Sequence, residues 1–213
     1  GIGPGDEVIV PAYTWIASPA SVMAVGGIPV VAEVDESLTL DATDVERRIT
    51  PYTKAIMPVH MRGTPARMDA LVDVARRHNL KVIEDTAQAD GGSYQGHRLG
   101  SIGDVGCFSL QFNKILTAGE GGMVITNDEW TWQRAVMFHD VAGGIRNQLP
   151  EEKILWGINF RMPELLAAVM LVQLNRLDGL LDAMRQRKRM LRNGIEDIAR
   201  RKGVQLQDTP DLE

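Results

Sequence analysis

Two residues pose the chemical question. Lys114 lies in SLQFNKILTAGEGG, residues 109 to 122, between an apolar run and a glycine cluster. A lysine at the edge of a core loses hydration, so it either extends to water or does chemistry. Loss of hydration also favours the neutral, nucleophilic amine. Asp85 follows the run KVIE, where a carboxylate would lie against an apolar layer. Burial penalises its charged form and a nearby cation restores it. A helix N-cap or a surface acid fits the same spacing.

These residues need a frame to hold them. DEVIVP (6 to 11) reads as a buried strand, TWIASPASVMAVGG as a helix closed by glycine, and IPVVAEV as the next strand. DATDVERRI is a short helix with Asp41 as N-cap, KAIMPVH a strand, and ARMDALVDVARRHN an amphipathic helix ended by Asn79. LKVIEDTAQ is the next strand, stopping at two acids. Repeated strand, helix, strand units predict an α/β fold with a mostly parallel sheet and helices on both faces. Ligands of such sheets sit outside the carboxyl ends of the strands, which singles out Trp15, His60, Glu84, Asp85 and Gln88.

From Gly91 turn signals recur every few residues, predicting short, partly antiparallel strands up to Leu110, then a strand in GGMVITND and a helix in EWTWQRAVMFHD. Residues 141 to 160 read as a long loop, of the kind that carries function or a subunit contact. Pro163 opens a helix to about Arg200 with Leu166, Val169, Met170, Leu174, Leu177 and Leu181 as its apolar stripe.

Composition narrows the function classes. At 44% hydrophobic and 24% charged, the 213 residues can bury a substantial core. A net charge of −5 argues against a nucleic-acid partner, and no apolar run approaches the ~20 residues of a membrane span. Cys107, the single cysteine, excludes an intramolecular disulfide and fits a reducing cytoplasm. The basic run RQRKRMLR (185 to 192) reads as a solvated helix face favoured by the macrodipole, and His78, His97 and His139 lack metal-ligand spacing. His60 could face substrate or be a structural histidine. Glu120 could shape the loop beside the lysine, where its flanking glycines serve tight turns. The start, GIGPGDEVIVP, and the end, QLQDTPDLE, where a strand looks to begin, suggest a piece of a longer protein.

Taken in order, GIGPGDEVIVPAYTWIAS, PVHMRG, VIEDTAQ, GSIGDVGCFSLQFNKILTAGEGGMVITND and WGINFRMPELLAA resemble the DegT, DnrJ and StrS group of sugar aminotransferases, pyridoxal phosphate (PLP) enzymes of fold type I. The resemblance implies a PLP-binding large domain over 1–162, a connecting helix over 163–200 and the start of a small C-terminal domain over 201–213. An N-terminal segment and most of the small domain would lie outside this chain. It assigns Lys114 as the Schiff-base lysine, Asp85 as partner of the pyridine nitrogen, Gln88 to the phenolic oxygen, Trp15 to ring stacking and Ser109 to the phosphate. Asn159 would reach the cofactor of a neighbouring subunit, implying a homodimer. The implied reaction moves an amino group from glutamate or glutamine to a nucleotide-linked keto sugar or a keto cyclitol. Related sugar dehydratases carry histidine at the lysine position, so Lys114 favours transamination; Gln111 resembles the aminocyclitol branch. A non-catalytic binding module of the same fold is the alternative from another class.

Overall fold

Alternation of side chains along β1 (Glu7–Pro11) divides the apolar interior into two layers. In the computed structural model, which describes residues 1–211, Val8 and Val10 pack with Ala55, Met57 and Val22 of α1 (Ala17–Ala24). Ile9 points the other way and packs with Ile56, Val82 and the buried side chains of α2 (Ala42–Arg48) and α3 (Met68–Arg77). Helices therefore cover both faces, as the alternating pattern predicts. The six-stranded sheet runs in the order β2 (Ile28–Ala32), β1, β3 (Thr53–Ile56), β4 (Lys81–Asp85), β7 (Val105–Ser109), β8 (Gly122–Ile125). All neighbours pair parallel except β8, which turns back antiparallel to β7. A separate hairpin joins β5 (Ser93–Tyr94) to β6 (His97–Arg98). Its turn uses left-handed Gln95 and Gly96, with φ of 49° and 78°, the geometry that matches strand twist in a two-residue turn.

Several boundaries move, each for a local reason. Asp41 caps α2 as expected, accepting the Thr43 N–H at 2.9 Å. Trp15 precedes α1 instead of lying on it. The strand expected over 28 to 34 stops at Ala32, and Val34 instead bridges Leu40. β3 stops at Ile56, and Val59 rejoins the sheet opposite Asp85 beyond Pro58, which has no N–H to donate. Residues 141 to 160 are no plain loop, for they contain α5 (Gly143–Arg146) and a 3₁₀ turn, Glu151–Lys153. Asp140, just after α4 (Glu129–His139), organises this stretch by accepting from the Ala142 N–H, Arg146 and Arg161. The expected terminal strand is absent among the described residues. There the chain is irregular, because Gln207 and Asp208 bond to Ser37, Glu36 and Arg67 and not to a strand. Positions 212 and 213 of the expected small-domain start lie outside the described residues.

Behind Pro163, α6 (Glu164–Lys202) runs to a left-handed Gly203. Part of its expected stripe serves the site. Leu166, Met170 and Leu177 pack against a buried cluster of Leu110, Leu116 and Ala118, and Leu181 is buried. Val169 and Leu174 face outward. Among the described residues, no helix is long and apolar enough to cross a membrane.

Candidate active site

The carboxyl ends of β4 and β7 bring the two opening residues together. Asp85 ends β4, held on both sides by its backbone: its N–H donates to Pro58 at 2.9 Å and its carbonyl accepts from the His60 N–H at 3.1 Å. Its side chain is equally fixed. Oδ2 accepts from the Ser18 hydroxyl at 2.7 Å, and Oδ1 accepts from the Ala87 N–H at 3.1 Å. Since the Ser18 proton is spent on Asp85, Thr14 is the donor in the 2.7 Å contact between the Thr14 and Ser18 hydroxyls.

Lys114 sits on the connection from β7 to β8. Leu110 closes that connection at both ends, donating to the Gly121 carbonyl at 2.9 Å and accepting from the Ala118 N–H at 3.0 Å. The Lys114 N–H donates to the Gln111 carbonyl at 3.0 Å, making a tight turn. The same connection contributes Leu110, Leu116 and Ala118 to a buried cluster that α6 covers. Gln88 is oriented by the Arg62 N–H, which donates to Oε1 at 3.0 Å and leaves the Nε2 donor for a ligand. Arg62, left-handed with φ of 55°, donates through Nε to the Tyr13 hydroxyl at 2.9 Å.

A cavity of about 630 Å³ joins these groups, with Trp15, Asp85, Gln88, Ser109 and Lys114 on its wall. Five of the six expected residues are thus brought to one space. Trp15, 69% exposed, is not a core tryptophan. Asn159 stands apart, outside this cavity, its Oδ1 accepting the Arg161 N–H at 3.2 Å. Glu120 lines the cavity. His60 does not, and resolves as structural: fully buried, its Nδ1 accepts the Ala66 N–H at 3.1 Å, so Nε2 carries the proton and donates to Glu84 at 3.1 Å.

Glu84 anchors the layer beneath. Burial alone would raise its pKa, but bonds from His60 and the Gly103 and Gly100 N–H groups outweigh that and hold it below the usual carboxylate value. The Ile102 N–H completes the set at 2.7 Å. β7 packs close here: a Cβ on Gly106 would fall 2.1 Å from the Gly100 carbonyl oxygen. Burial, with Asp85 and Glu84 nearby, pushes the Cys107 thiol up to about 11, so it is no nucleophile.

Sequence reasoning missed Thr14, Ser18, Arg62 and Asp90. The four-residue spacing of Thr14 and Ser18 was a usable signal; Arg62 and Asp90 carried none. The basic run is exposed over most of its length, as a solvated helix face would be. Arg185, Lys188 and Arg192 line a second cavity of about 240 Å³ beside Gln88 and Asp90, and burial with Arg192 nearby lowers the Lys188 pKa. Among the described residues, no three His, Cys, Asp or Glu side chains cluster as metal ligands.

A parallel α/β sheet presenting a lysine, a carboxylate and an aromatic ring to one cavity defines a class of cofactor-binding protein, the type I PLP-dependent transferases. Residues 1–212 match the DegT/DnrJ/EryC1/StrS aminotransferase family, and the chain belongs to it. A GDP-perosamine synthase from Caulobacter vibrioides is 47% identical over 192 residues, covering 86% of this chain and 49% of the relative. An L-glutamine:2-deoxy-scyllo-inosose aminotransferase from Streptoalloteichus tenebrarius is 43% identical, covering 92% and 48%. The crystal structure of DesV from S. venezuelae in complex with a ketimine intermediate aligns with a TM-score of 0.77 at 46% identity, covering 84% of this chain and 48% of DesV. The chain spans about half the length of the curated relatives it matches.

The donor set fits PLP. An amine, a carboxylate, the Gln88 Nε2 donor and the Ser109 hydroxyl share a cavity whose volume lies in the range of small-molecule sites.

Proposed function

We propose that this chain is the cofactor-bearing part of a PLP-dependent aminotransferase, passing an amino group from glutamate or glutamine to a keto sugar or keto cyclitol. The carrying observation is that Lys114, on the connection from β7 to β8, and Asp85, at the end of β4, line one cavity with Gln88 and Trp15. Bound PLP supplies an electron sink for the electrons of the donor's α-carbon. Lys114 would hold the cofactor through its amine, and that amine, when free, would be the base in the cavity for the donor's α-proton. Asp85 holds a proton at the pyridine nitrogen, and its bonds to Ser18 and Ala87 keep it aimed. Gln88 would donate through Nε2 to the phenolic oxygen, Ser109 would hold the phosphate, and Trp15 would cover the ring. Lysine at 114 supports transamination over dehydration. Gln111 tilts the donor toward glutamine and the acceptor toward a cyclitol.

On this reading residues 1–162 form the large domain and 163–200 the connecting helix, the active assembly is a homodimer in the cytoplasm, and Asn159 serves the partner's cavity. The test is absorbance of the full-length protein with PLP. A visible-edge band that Lys114→Ala abolishes supports the assignment, and a wild-type protein without the band overturns it. A screen of glutamate against glutamine with keto sugar and keto cyclitol acceptors then fixes the substrates.

A further inference from the structure

The described wall of the larger cavity carries two cations, Lys114 and Arg62, against three acids, Asp85, Asp90 and Glu120. Of the cations, Arg62 has no part in the chemistry above. It sits in the turn Met61–Gly63 with a left-handed backbone, φ 55°, a conformation that suits glycine and costs other residues. An arginine kept on such a backbone at the wall of a site is a sign that its side chain is needed there. Two hydrogen bonds fix it. Its N–H donates to the Gln88 Oε1 at 3.0 Å, and its Nε donates to the Tyr13 hydroxyl at 2.9 Å. Among the described residues Nη1 and Nη2 have no partner and the guanidinium forms no ion pair, so its two-pronged end is open.

We propose that Arg62 binds the α-carboxylate of the amino donor, pairing Nη1 and Nη2 with its two oxygens. An amino acid brings a negative charge into a cavity that already holds three acids, and a fixed cation offsets that repulsion. With Lys114 committed to the cofactor, Arg62 is the cation left on the described wall. Its planar fork matches a carboxylate as an ammonium cannot. The Gln88 bond places Arg62 at the phenolic-oxygen end of the cofactor, apart from Ser109 and the phosphate. Glutamate and glutamine share the α-carboxylate, so one group serves either donor. The inference rests on the aminotransferase reading for the identity of its ligand.

Labelling of arginines by phenylglyoxal in the full-length, cofactor-free protein, read residue by residue by mass spectrometry, tests this without turnover. Glutarate, the carbon skeleton of both donors without the amine, is expected to suppress labelling of Arg62 as it saturates. Arg201, exposed and outside both cavities, keeps its rate. Unchanged labelling of Arg62 overturns the proposal. So does protection by inorganic phosphate and not by glutarate, which would put Arg62 at a phosphate. In the PLP-loaded protein the variant is Arg62→Gly, which the left-handed backbone accepts and which keeps the N–H that Gln88 needs. It is expected to lower kcat/KM for the amino donor about 30-fold and to leave kcat/KM for the acceptor unchanged, with Arg62→Lys recovering part of the loss. An equal fall for both substrates overturns the proposal, because a displaced Gln88 or cofactor slows both half-reactions. A protein with no PLP band sinks the aminotransferase reading, while the labelling still decides whether Arg62 takes a carboxylate, so the two failures are separable.

Discussion

Asp85 and Asp90 are five residues apart and have opposite surroundings. Asp85 accepts from a hydroxyl and a backbone N–H, whereas Asp90 has one oxygen with no donor at all. Replacing Asp85 with Asn is expected to leave PLP attached to Lys114 but to slow transamination by about 10²-fold or more, because an amide cannot hold the pyridine proton. Stopped-flow measurement of the first half-reaction reads this, and near wild-type rates would remove Asp85 from its role. For Asp90 the pH dependence of stability follows from its raised pKa. The folded acid keeps its proton up to about pH 6 while the unfolded one loses it near the ordinary value of 3.8. Folding therefore binds a proton in that window, and stability falls as pH rises through it. Asp90→Asn removes the effect, so at pH 8 the variant is expected to exceed wild type by about 2–3 kcal/mol before any loss from the amide's own contacts. The difference should shrink by pH 5 in parallel denaturant titrations. A difference constant with pH would contradict the origin given.

Strands and helices were readable because their burial is periodic: Val8, Ile9 and Val10 alternate between two cores, and Asp41 caps its helix through a neighbour two residues away. Whatever depends on distant chain was not. Arg62 meets Gln88 across 26 positions and Ser18 meets Asp85 across 67, and no local pattern announces such pairs. Val169 and Leu174 share the helical period of Leu166 and Leu177, yet only part of α6 lies against the lysine's loop. Lys114 and Asp85 were ambiguous one at a time, and the ordered motifs assigned them roles through the family resemblance; the structure brings both to one cavity. Glu84 shows what the element scale adds, since one side chain ties the end of β4 to His60 and to three N–H groups before β7. Glu84→Gln gives up a charged acceptor in a dry site and is expected to cost about 3 kcal/mol. Because the folded pKa of Glu84 lies below its ordinary value of 4.5, its contribution is present above that pH and lost as pH falls further. Thermal melts at pH 7 and pH 3.5 check both the size and the sign, and an equal cost at both would refute the electrostatic origin.

At the scale of the whole molecule, the end of the 141–160 stretch and the start of α6 carry large apolar side chains in water: Trp156 at 99%, Phe160 at 63% and Leu165 at 76% exposed. Asn159 lies among them, away from its own chain's cavity. A surface of this kind beside a polar residue suits a two-fold interface in which Asn159 enters the partner's cavity. Subunit mixing gives a quantitative test on the full-length protein. Lys114→Ala homodimers lack the lysine at both cavities, and Asn159→Ala homodimers lack the asparagine at both. In a mixed dimer one cavity loses both residues and the other keeps both. Random mixing makes half of the dimers mixed, each with one intact cavity of two, so about a quarter of wild-type activity should return from two inactive proteins. If Asn159 served its own chain instead, every cavity in the mixture would lack one residue or the other, and no activity would return. Native mass spectrometry run alongside, which resolves the mixed dimer by its mass, confirms that subunits exchanged, which makes a null result evidence against the shared cavity and not against mixing.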